Sequence, residues 1–109
     1  MARLNYVELP VRNVAAAKNF YEAAFGWSLT DYGPEYAGGQ AGDAELGLRA
    51  EEEIRPPLPG IAVDDLEAAL EQVTQLGAEI TVPIFAFPGG RRFHFRDPGG
   101  NEVACFKYG

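Results

Sequence analysis

The sequence predicts an α+β fold in which one plan, strand–helix–strand–strand–strand, runs twice through 109 residues. Three observations predict it. Two amphipathic helical segments each follow a short apolar strand, and each stops at a glycine. Glycine (13) and proline (8) fill about a fifth of the chain, above the roughly 12% of ordinary usage, so the remainder is cut into many short strands and turns. A charged stretch with three prolines, EEEIRPPLP at 51–59, separates the two runs of the plan.

The first run, about 1–50, opens with LNYVELPV at 4–11. Its alternation puts Val7, Leu9 and Val11 on one apolar face and Tyr6 and Glu8 on the other, the pattern of a half-buried strand. Pro10 cannot donate to a ladder and so belongs at an edge or a strand end. Asn13 is a good N-cap. After it Val14, Ala17, Tyr21 and Ala24 recur at helical spacing, with Phe20 and Phe25 beside them, and Gly26 stops the helix. Phe25 and Trp27 are expected to pack the helix end against the sheet. Residues 28–50 have no helical period and read as strands near 28–32, 35–39 and 43–49, broken at Gly33-Pro34 and Gly38-Gly39.

The second run, about 60–109, opens with the strand GIAV at 60–63. Asp64 or Asp65 caps a helix whose buried face is Leu66, Ala69, Leu70, Val73 and Leu76, ended by Gly77. Three strands follow in AEITVPIFAF, RRFHF and NEVACF, separated by Pro88-Gly89-Gly90 and by Asp97-Pro98-Gly99-Gly100. Setting Val11 on Val63 aligns Asn13 with Asp65, Ala16 with Ala68 and Ala17 with Ala69. The halves share a pattern more than a sequence. Each has one helix to cover one sheet face, which leaves the other face to be covered by something else.

Composition narrows the function. Hydrophobic residues at 47% and charged residues at 23% describe a globular chain. Sixteen acids against nine bases give a net charge of -7, which argues against a nucleic-acid partner and would suit a cationic one. A single Cys excludes an internal disulfide and a Cys-rich zinc module; a single His excludes a His-rich metal cage within one chain. No apolar run is long enough for a signal peptide or membrane span, so no membrane partner and a cytoplasmic protein are expected.

Three segments together, NYVELPVRNVAAAKNFYEAAFGW, IAVDDLEAALEQVTQLGAEI and FRDPGGNEVACF, carry a resemblance to the vicinal oxygen chelate superfamily. That superfamily includes glyoxalases, extradiol dioxygenases and bleomycin-resistance proteins. The resemblance implies two βαβββ modules forming curved mixed sheets around a cavity, with short chains dimerising to complete it. It also implies four metal-ligand positions, in the first and last strands of each module. The usual His falls seven residues before each helix cap, which here gives Tyr6 and Leu58. The usual Glu comes three residues after the Asn of the DPxGN turn, here Ala104; the fourth position could be Glu45. Leucine and alanine cannot bind a metal, and Lewis-acid chemistry needs two or three converging N or O ligands, so no metal or other cofactor is expected.

Strand alternation makes Tyr6, Glu8, Glu45, Arg92, His94 and Phe106 the candidate cavity lining. Glu8, in an otherwise apolar strand, could bind a cation or act as a base, or could pair with an arginine such as Arg92 or Arg49. His94 titrates near neutrality and could be an acid–base group, or a hydrogen-bonded strand histidine. Tyr6 and Phe106 could stack on a flat ligand or fill a core or dimer interface. Cys105 is read as a buried, inert thiol. The expected function is a metal-free, homodimeric small-molecule-binding protein, with a cationic organic ligand in view. The alternatives are a metal-dependent lyase or dioxygenase using a rearranged set such as Glu8, Glu45 and His94, and an accessory interaction domain with a filled cavity.

Overall fold

A computed structural model describes residues 1–109. The chain forms two compact units, one of Asn5–Leu58 and one of Met1–Leu4 with Pro59–Gly109. Each repeats the plan.

The first unit contains β1 (Arg3–Val11, whose first two residues belong to the second unit), α1 (Val14–Phe25), β2 (Thr30–Asp31), β3 (Tyr36–Ala41) and β4 (Ala44–Ala50). Its strands lie in the order β2-β3-β4-β1, antiparallel except for the parallel β1–β4 pair. Helix α1 starts where Asn13 turns its side chain back to accept the Ala16 N–H at 3.0 Å, and it stops at Gly26, whose φ of 75° needs no Cβ. The apolar face of α1 meets one face of the sheet. Val14, Leu29, Ala37, Leu46 and Leu48 are buried there, with Leu9, Val11, Ala17, Tyr21 and Trp27 packed around them. Pro10 pairs with Arg49 one residue from the end of β1, the strand-end placement its missing N–H requires.

The second unit contains β5 (Leu58–Ala62, its first residue grouped with the first unit), α2 (Leu66–Gln75), β6 (Glu79–Phe87), β7 (Gly90–Arg96) and β8 (Glu102–Tyr108), in the order β5-β8-β7-β6. Again one pair, β5–β8, is parallel and the others antiparallel. Asp65, not Asp64, is the cap, accepting the Ala68 N–H at 3.0 Å. Leu66, Phe93 and Cys105 form the core beneath α2, with Ala69, Leu70, Val73, Ile80 and Phe95 against it. The DPGG turn closes as its residues dictate: Asp97 accepts the Asn101 N–H at 2.8 Å, and Gly100 takes a φ of 90°.

Several boundaries differ from expectation. The strand near 28–32 shortens to Thr30–Asp31, and the last two residues of the expected 51–59 linker, Leu58 and Pro59, already belong to β5. Phe25 does not pack the helix end inward. It is 60% exposed and stacks on Trp27 at 5.1 Å between ring centroids, because Trp27 and Tyr21 already cover the sheet there. Leu76 is likewise outside the core, 76% exposed, since α2 ends one residue earlier and Leu76 is its C-cap. Val7 is more exposed than Leu9 and Val11 because the helix covers only the far half of β1.

Candidate functional site

The helix packs on one face of each sheet, so the other face holds the residues available for chemistry. In the first unit the register fixes that face row by row: Tyr6, Glu45 and Gln40; then Glu8, Gly47 and Gly38; then Pro10, Arg49 and Tyr36. The middle row has two glycines and therefore a bare floor. Tyr6 and Tyr36 lean over it from opposite ends, and a Cβ on Gly47 would run into the Tyr6 hydroxyl and lie 2.5 Å from the Tyr36 hydroxyl. The Tyr6 hydroxyl donates to Glu8 Oε1 at 2.9 Å and lies 2.9 Å from the Tyr36 hydroxyl. Tyr6 has one proton, committed to Glu8, so Tyr36 is the donor in the second bond. The chain of donation runs Tyr36 to Tyr6 to Glu8. Burial first, then the Glu8 charge and Tyr36, push the Tyr6 phenol far above its ordinary range, so it stays a neutral donor. Glu8 is 7% exposed, and the Arg49 Nε stands 3.8 Å from its Oε2.

The second unit's helix-free face has different chemistry. Its rows are Gly60, Ala104, His94 and Val82, then Ala62, Phe106, Arg92 and Phe85. His94 Nδ1 lies 3.1 Å from Glu102 Oε2, and the same oxygen accepts the Thr81 hydroxyl at 2.9 Å. Burial works against the Glu102 charge, but the Thr81 and His94 hydrogen bonds and the His94 and Arg96 charges outweigh it and hold the carboxyl below its ordinary range. Register shifts in β6, either side of Val82, let Thr81 reach Glu102 and set Phe85 opposite Arg92. The Arg92 guanidinium lies 5.2 Å over the Phe85 ring and 5.7 Å from Phe87, and the His94 ring sits 5.8 Å from Phe85. Phe106 is buried and meets Tyr108 edge-on at 5.0 Å. Cys105 is on the helix side, where burial pushes its thiol up to about 11.

All six candidate residues therefore lie on helix-free faces. Tyr6, Glu8 and Glu45 share the first unit's face, while Arg92, His94 and Phe106 share the second's. Arg49, one of the arginines considered for Glu8, is brought beside it by the register of β1 and β4. Sequence reasoning missed Tyr36, Thr81 and Phe85 as site residues and did not weigh Glu102. Tyr36 becomes visible once the β3–β4 register puts it opposite Arg49; Thr81 and Phe85 depend on bulges that no residue pattern announces.

The four metal positions can now be tested on donor chemistry. Setting Asn13 on Asp65 makes Tyr6 equivalent to Leu58 and Glu8 to Gly60. The strand registers, Glu8 opposite Gly47 and Gly60 opposite Ala104, then make Gly47 equivalent to Ala104. Leu58 and Ala104 offer no ligand atom, and the Tyr6 hydroxyl is a neutral donor to Glu8. Gly47 offers none either, and Glu45, considered for the fourth position, lies one row away from it, directly opposite Tyr6. Nowhere in the chain do three His, Cys, Asp or Glu side chains group as a metal ion would require. These residues do not fit the superfamily's metal.

A doubled βαβββ plan, one helix against one face of each sheet, defines a fold of the vicinal oxygen chelate type. The chain belongs to the glyoxalase/bleomycin resistance protein/dioxygenase superfamily, whose family model matches residues 3–105. It is 32% identical over 116 aligned positions to the putative glyoxylase CFP32 of Mycobacterium tuberculosis. That alignment covers 94% of this chain but only 44% of the relative, so the chain spans less than half the length of the curated relatives it matches. In fold it is similar to a hypothetical protein from Bacillus halodurans (TM-score 0.81, 15% identity, 99% of this chain and 95% of that one). It is also similar to the Mn(II)-bound glyoxalase of Novosphingobium aromaticivorans (TM-score 0.77, 23% identity, 98% of this chain and 40% of that one). No helix is long and apolar enough to cross a membrane.

Proposed function

We propose that this chain is a metal-free binding protein for a small organic molecule, working as a cytoplasmic homodimer. One observation carries the reading: Leu58 and Ala104 stand at metal-ligand positions, and the Tyr6 hydroxyl, at a third, is given over to Glu8. What remains on the first unit's face is a recognition surface, a carboxylate backed by two phenols over a glycine floor. With the net charge of -7, Glu8 favours an organic cation, for which Arg49 acts as the resident counter-ion. The homodimer is proposed from the superfamily, where pairs of chains commonly complete a ligand cavity.

Calorimetric titration with a panel of organic ammonium and guanidinium compounds tests the reading. Saturable binding that falls roughly tenfold or more in Glu8→Gln is expected, a loss of about 1.4 kcal/mol for each tenfold. Silence across the panel would count against a cationic ligand.

A further inference from the structure

We propose that the outer face of α1 is where two copies of this chain meet, the two helices packing antiparallel about a two-fold axis at Phe20. The inference rests on the reading above for the second copy and deepens it by naming the contact. It starts from the exposed faces of the two helices. On α2 the exposed residues are Glu67, Ala68, Glu71, Gln72, Thr74 and Gln75, the polar and charged set that a helix turns to water. On α1 they are Ala15-Ala16, Asn19-Phe20 and the closing Ala23-Ala24-Phe25, with no charge among them. The charged residues of α1, Lys18 and Glu22, are half-buried at its flank and pair with each other at 3.3 Å. Phe20 is 62% exposed, as open as Phe25. Neither ring is loose: Phe20 stands edge-on to Tyr21 at 5.1 Å and Phe25 stacks on Trp27, while Tyr21 and Trp27 are packed against the core. Rings held in place before a partner arrives cost little to order on binding.

Charge selects a second copy as the occupant. At a net charge of -7, copies of this chain repel one another. An uncharged face lets two of them approach without setting like charges together. Ala16 and Ala24 lie four residues to either side of Phe20 on one ridge of the helix, so the ridge reads alike from both ends, as a two-fold contact requires. Antiparallel packing also opposes the helix dipoles. The exposed Arg12, one residue before the N-cap, is then brought towards the negative end of the partner's helix, which has no basic residue in its own last turn. The two phenylalanines offer roughly 240 Å² of exposed ring surface on each copy. Even with the alanines this stays below the roughly 800 Å² per partner of a standard interface, so the dimer is a weak one that dilution takes apart.

Sedimentation equilibrium of the full chain, from about 10 µM to about 1 mM, tests the contact. The weight-average mass should rise with concentration from that of one chain towards that of two. Phe20→Glu and Phe20→Lys each set like charges together across the axis and should weaken association roughly tenfold or more. Mixed in equal amounts they should associate again, because opposite charges then face each other. Ala24→Glu, one turn along the same ridge, should weaken association as well, and Ala68→Glu on the exposed face of α2 should not. A wild-type chain that stays monomeric would leave the face to a different protein and overturn the proposal. So would a dimer that Phe20→Glu leaves intact, a mixture that stays monomeric, or an equal loss in Ala68→Glu. A dimer indifferent to position 20 would keep the homodimer and lose only this contact. Cation titration of the wild-type chain reads the ligand separately, so the two failures are told apart.

Discussion

In the first unit Asn13 enters its helix at φ -132° and ψ 103°; in the second, Asp65 enters at -133° and 102°, and each side chain accepts an N–H three residues on at 3.0 Å. Where the helices cover the sheets, the two units are near-copies. Where they do not, they diverge: Glu8 and Gly47 on one face correspond to Gly60 and Ala104 on the other. One helix-free face carries a carboxylate with phenols, the other an imidazole and a guanidinium among phenylalanines. The difference teaches where constraint lies. Caps, helix stripes and core residues must satisfy packing in both units, whereas a face opposite the helix is free to take on chemistry, and each unit has taken a different kind.

Breaking the shared part should have the largest effect. Phe93 and Leu48 are both fully buried beneath their helices. Phe93→Ala should cost about 3–5 kcal/mol and Leu48→Ala about 2–5 kcal/mol, read from urea unfolding. Next comes the point of divergence. Gly47→Ala drives a Cβ into the Tyr6 hydroxyl and should cost about 1–3 kcal/mol, as overpacking does. Ala104→Gly, at the equivalent place in a strand that already accepts a Cβ, should cost only about 0.5–1 kcal/mol. If Gly47→Ala proves harmless, the phenols do not need the bare floor.

The caps sharpen the comparison from the conserved side. Asn13→Ala and Asp65→Ala should each cost about 1 kcal/mol, and nearly the same amount, because the two caps have the same geometry. A clear inequality would show that the helices are held differently. The smallest effect is alkaline. Cys105 has its thiol raised from 9.0 to about 11 by burial, so the folded state favours the neutral form. That contribution is complete below about 9 and fades as pH rises towards about 11. Thermal melts across this window should decline less steeply in Cys105→Ala, and the native thiol should resist thiol reagents at neutral pH.

Much of the fold was legible in the sequence because it is written in local rules. Asn13, Gly26 and Asp97-Pro98 each specify a backbone turn through their own side chain or φ, and the helix stripes declare their buried faces. The candidate faces were legible too, since alternation alone puts Tyr6 with Glu8 and Arg92 with His94. What alternation cannot supply is register. The pairing of Tyr6 with Tyr36 depends on how β3 and β4 align, and Thr81 reaches Glu102 only through shifts in β6. Phe25 shows a different limit: helical spacing nominated it for the core, but Trp27 and Tyr21 had already filled the place.

The central claim is that this superfamily member has exchanged metal ligation for direct recognition by side chains. Elemental analysis of protein purified without chelator, paired with thermal melts before and after adding manganese, nickel and zinc, tests it most directly. The account predicts metal far below one ion per chain and an unchanged Tm, because a bound ion would stabilise the folded state by mass action. One tightly held ion per chain, with a Tm that rises on its addition, would contradict it.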